Sequence, residues 1–171
     1  MKFGFLEVRK ENNELKKDIK SISDDFSFMT RELKEKGGLD RSSDRYGSLL
    51  NNLDQDKFIL IRQSVNLILE KTNDILEKQK NISESVRKNL IKLKNICENM
   101  AGLEWESYTI EVYENNNFEK KIKKETLSNN QRKNELMSMW LSDIYHPISN
   151  LNNAKFQSIF DSKIETDRYH V

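Results

Sequence analysis

Apolar residues recur in alternating steps of four and three over most of the first hundred positions of this chain. That spacing keeps them on one face of an α-helix. Val8, Asn12, Leu15, Ile19, Ile22, Phe26, Met29 and Leu33 make the first such series, on a background of Lys, Glu, Asp and Asn, and predict a helix over about 8–36. Gly37-Gly38 follows the last periodic residue, where a helix end tolerates left-handed backbone. The turn residues Asp40-Arg41-Ser42-Ser43-Asp44 and Gly47 predict a loop over 37–54, tacked to the helices by Tyr46, Leu49, Leu50 and Leu53. Asn52 with Gln55 resembles a capping box, and Asp54 is an equal candidate for the N-cap.

The second series is longer. Ile61, Val65, Ile68, Thr72, Ile75, Gln79, Ile82, Val86, Asn89, Leu93, Ile96 and Met100 predict one helix over about 55–100. Leu69, Leu76, Leu90 and Cys97 widen the stripe, which suits a bundle helix touching two partners better than a two-stranded seam. Glu70, Glu77, Glu84 and Glu98 lie opposite it, flanked by Lys80, Arg87 and Lys94. These charges form i,i+3 and i,i+4 pairs worth tenths of a kcal/mol. A helix of that length extends about 70 Å. The first helix would cover about two thirds of it, so the stripe is expected to recruit a second copy or another protein.

After Ala101-Gly102 the period changes. Tyr108, Ile110 and Val112 alternate with Thr109, Glu111 and Tyr113, as in a strand. Asn115-Asn116-Asn117 can turn the chain, and Phe118 to Thr126 can return as a second strand or as a helix. In the hairpin register Ile110 faces Ile122 and Glu111 faces Lys121. Ser128 with Gln131 opens a helix through Leu136, Met137, Met139, Trp140, Leu141, Ile144 and Tyr145, which Pro147 ends or kinks. Ile148, Leu151, Phe156, Ile159 and Phe160 suggest a further short helix. The expected fold is mainly α. A long antiparallel helical hairpin fills 1–102, and a head fills 103–171 with a β-hairpin over 105–126 and helices over about 129–146 and 149–162.

Composition narrows the classes. The chain has 171 residues, 36% apolar and 33% charged, with 5 Gly and 1 Pro. So few turn residues argue against a sandwich or barrel. The net charge of +1 gives no global support for a nucleic-acid binder. The lone Cys97 excludes an internal disulfide framework and fits a reducing compartment. No apolar run approaches the ~20 residues of a membrane span. Met1 to Leu6 is followed at once by Glu7, Arg9 and Lys10, which is no signal-peptide core. The expected location is the cytoplasm.

Candidate chemistry is sparse. His146, in Asp143-Ile144-Tyr145-His146-Pro147, is the residue a histidine phosphotransfer protein would need, but the adjacent proline argues for an ordinary helix-end histidine. His170 has no partner in sequence. No Cys pair, His-x-x-x-His or Glu-x-x-His spacing offers a metal site, and no Gly-rich loop offers a phosphate cradle, so no cofactor is expected. Cys97 on the stripe margin reads as a small core filler. Lys120, Lys121, Lys123, Lys124, Arg132 and Lys133 form the densest basic segment, and Tyr113 and Phe118 beside them could stack on bases. Glu111, Glu114, Glu119 and Glu125 can equally neutralise it. Thr72, Gln79 and Asn89 either select a register or mark solvent-exposed turns of the seam.

The favoured reading is therefore a non-enzymatic interaction or adaptor protein. It would oligomerise, or join a larger complex, through Ile61, Val65, Ile68, Ile75, Ile82, Val86, Leu93 and Ile96. The head would carry a second contact through Trp105, Tyr113, Trp140 and Tyr145, with packing of the head the other reading of the two tryptophans. A nucleic-acid-associated accessory subunit using Lys120 to Lys124 is the second reading, and phosphotransfer through His146 is the third.

Overall fold

The structure, a computed structural model, describes residues 2–41, 49–78, 81–103, 108–113, 121–127 and 130–154. Four helices dominate it: α1 (Lys2–Glu35), α2 (Gln55–Lys78), α3 (Glu84–Ala101) and α4 (Asn130–Asn152). Each packs on two others, in the order α1–α2–α3–α4–α1. Side-chain bonds between helices give their directions. Lys71 of α2 donates to Asp25 and, at 2.8 Å, to Ser21 of α1. Arg62 of α2 reaches the carbonyl of Leu103 just past α3 (3.1 Å), and Asn150 of α4 donates to Asn89 of α3 (3.2 Å). Ser23 of α1 donates to Asn152 (2.9 Å), whereas Phe26, further along α1, meets Tyr145, earlier in α4 (6.3 Å between centroids). Neighbouring helices are thus antiparallel, and the architecture is an up–down–up–down bundle.

The α1 terminus is built as its glycines suggest. Gly37 has φ 76°, the left-handed region a side chain disfavours. Its N–H bonds the Lys34 carbonyl (3.2 Å) and that of Gly38 bonds Leu33 (2.6 Å), the two bonds of a Schellman cap. A Cβ on Gly38 would lie 3.1 Å from both the Leu33 carbonyl oxygen and the Lys57 side chain, so the chain passes close there. Leu39 and Leu50 then form a bridge, and the Asn51 N–H bonds Gly38 (2.7 Å). Asp54, rather than Asn52, caps α2, accepting from the Lys57 N–H at 2.9 Å. Lys57 itself is buried, its ammonium donating to the Asn52 carbonyl (2.6 Å) and lying 3.4 Å from Asp54.

The expected helix over 55–100 is not continuous. It ends at Lys78, and α3 begins at Glu84 behind a new N-cap, Ser83, whose hydroxyl accepts from the Val86 N–H (3.2 Å). The stripe folds back on itself. Ile61, Val65, Ile68 and Ile75 of α2 and Val86, Leu93 and Ile96 of α3 are all buried in one core, with Ile82 partly buried against it. The magnitudes favour the break. Interrupting the helix for a handful of residues forfeits a few backbone bonds at a net ~1 kcal/mol each. Covering the stripe secures ~1.5–3 kcal/mol for each large apolar side chain.

Two further expectations change. Pro147 lies inside α4, so the helices expected over 129–146 and 149–162 are one helix as far as Asn152, and residues 155–171 lie outside the described set. Proline removes the bond to the Asp143 carbonyl and costs ~3 kcal/mol in a helix interior. Ile144, Ile148 and Leu151, on either side of it, are all buried in the core, and their packing outweighs that loss. The backbone segments Tyr108–Tyr113 and Lys121–Leu127 pair antiparallel between α3 and α4, but a hairpin head is not supported. Their register puts Ile110 opposite Glu125 and Glu111 opposite Lys124, not Ile122 and Lys121. A lone two-stranded ribbon is marginal.

Two tests follow from the closed core. Ile75→Asp is expected to cost on the order of 3 kcal/mol or more, by burying a carboxylate among apolar groups. Ile91→Asp, on the exposed side of α3, is expected to stay within ~0.5 kcal/mol. Urea unfolding read by circular dichroism checks both; an Ile75→Asp chain as stable as the parent would overturn the covered stripe. Asp54→Ala is expected to cost about 1 kcal/mol through loss of the cap. The Asp54 carboxyl sits below its ordinary value of 3.8, chiefly because it accepts the Lys57 N–H. Its contribution is therefore full above 3.8 and lost as pH falls through the lower folded value, whereas Asp54→Asn should keep the cap in acid. Acid titration of thermal melts reads the difference.

Candidate functional site

The described stripe residues expected to meet a partner lie inside the bundle. Ile61, Val65, Ile68, Ile75, Val86, Leu93 and Ile96 already have their cover, from α1, from α4 and from each other's helices. The polar positions of the seam are accounted for locally. Thr72 is fully buried and returns its hydroxyl to the Ile68 carbonyl (2.7 Å). Asn89 is half-buried, donates to the Ser85 carbonyl and accepts from Asn150 of α4. Gln79 lies outside the described residues. Thr30, another buried hydroxyl, donates back to Phe26 and Ser27 of its own helix. Two buried carboxamide oxygens, of Asn12 and Asn134, have no hydrogen-bond partner.

The aromatic candidates divide. Trp140 is only 9% exposed and belongs to the core, so it is no hot spot on the surface. Trp105 lies outside the described residues. Tyr145 is half-buried, stacked on Phe26 and tilted against His146 at 5.9 Å.

The described members of the basic segment differ in their surroundings. Lys133 is 4% exposed, which removes it as a phosphate contact. Arg132 is exposed and lies 3.7 Å from Glu135 one turn on. Lys121, Lys123 and Lys124 belong to the second extended segment, opposite Tyr113, Val112 and Glu111 respectively, and Lys120 lies outside the described residues. Sequence proximity suggested a cluster. Helix α4 places Lys133 on its inner side, which the capping pattern at Ser128 and Gln131 did not reveal.

His146 is exposed within α4, which continues past Pro147 to Asn152. Three residues before it, Asp143 is held above its ordinary value of 3.8, chiefly by burial, with His146 pulling the other way. Burial also pushes the Cys97 thiol well above its ordinary range, which makes it a core side chain and a poor nucleophile. Among the described residues no group of three or more His, Cys, Asp or Glu is placed to hold a metal ion. No helix among them is long and apolar enough to cross a membrane.

One feature of the surface was missed in the sequence. The Leu50 N–H donates to the buried Ser138 hydroxyl at 2.8 Å, joining the loop before α2 to α4. The residues beside that bond, Leu49 and Met139, are the two most exposed large apolar side chains described, at 59% and 53%. Leu49 read as a loop anchor and Met139 as one of a run of α4 apolar residues. Each is next in sequence to a residue of the Leu50–Ser138 bond. No protein-family model matches the chain, and no curated protein or solved structure is similar enough to count as a relative.

The Asp143 site carries its own test. A carboxyl raised by burial penalises the fold once it ionises, so stability falls as pH rises from 3.8 through the folded value, and the penalty is full above it. Asp143→Asn is expected to raise Tm at about pH 7 and to leave it unchanged at about pH 3. Calorimetry at both values decides, and a lowered Tm at neutral pH would show that the carboxylate is stabilising instead.

Proposed function

We propose that the chain is a non-enzymatic interaction module whose helical body closes on itself and presents a protein contact on its outer surface. Self-association through Leu49 and Met139 is the simplest form of that contact. The observation that carries the reading is that Leu49 and Met139, each more than half exposed, are the sequence neighbours of the two residues in a buried bond between loop and helix. Single apolar residues are ordinary on a protein surface, but large ones carried by bonded backbone are what a contact needs. The Schellman cap, the Leu39–Leu50 bridge and the Ser138 bond hold the backbone beside Leu49 before anything binds, which lowers the ordering entropy that opposes association.

The stripe contributes indirectly. It assembles the body, and a partner contact along it would require the bundle to open. Salt bridges such as Lys94–Glu98 and Lys36–Glu32 are surface pairs worth little to stability.

Light scattering coupled to size exclusion tests the proposal on the full chain. The parent is expected to gain mass with concentration, and Leu49→Lys with Met139→Lys to remain a monomer with the same helix content and Tm. A parent that stays monomeric at every concentration, or a double variant that associates as the parent does, sinks the proposal. Co-purified nucleic acid that is lost when Lys121, Lys123 and Lys124 become Glu would transfer the function to the basic segment.

A further inference from the structure

We draw no further inference here: the strongest candidate, the half-exposed pair Phe28 on α1 and Leu67 on α2 with the Arg31 guanidinium 5.8 Å above the Phe28 ring, is an apolar surface patch for which nothing in the structure shows what covers it.

Discussion

The whole molecule depends on one constraint: an apolar stripe too long for a single neighbour must be covered by the chain that carries it. Breaking the helix between Lys78 and Glu84 meets that constraint, because the two halves of the stripe then face each other. α1 lies against the α2 half and α4 against the α3 half, and each helix ends with two packed neighbours. Had the rod stayed straight, part of its surface would have remained bare, at a cost that outweighs the backbone bonds given up at the turn.

Polar bonds between helices and within them support the same arrangement. Lys71 ties α2 to Asp25 and Ser21 of α1, and Asn89 ties α3 to Asn150 of α4. Buried hydroxyls such as Thr30 and Thr72 return to carbonyls of their own helices, so they ask nothing of their neighbours. Lys57 is costlier to bury, and its ammonium is met by the Asn52 carbonyl and Asp54 at the very turn that Gly38 lets the chain approach closely. The described ends of the connection between α1 and α2 are thus built into the body, and Leu50 is bonded to Ser138 of α4.

The changes in functional reading follow from this closure. A stripe that waits for a partner and a stripe that forms a core have the same sequence pattern. They differ in whether the rest of the chain can reach them. Lys133 makes the same point on a smaller scale. It stands beside Arg132 in sequence, yet one is buried and the other exposed, because adjacent helical positions point about 100° apart. Pro147 shows local preference yielding to packing, since its buried neighbours in α4 hold the helix through a residue that would otherwise end it.

The sequence by itself determined which side chains go inside. The four-three spacing placed Leu15, Ile19, Ile22, Phe26, Met29 and Leu33 of α1, and the stripe of α2 and α3, on inward faces, and the glycine pair marked the end of α1. Periodicity reports direction about a helix axis, so it could say that these residues needed cover but not what would supply it. The break at Ser83 was invisible to it, because a three-residue or four-residue step reads the same across a turn as along a rod; a capping serine followed by Glu84 was the local signal. The contact between loop and α4 joins residues 88 positions apart, and no local pattern encodes such a meeting. Tertiary packing decided it, since only the closed bundle fixes which surfaces remain for water and which of them a partner could use.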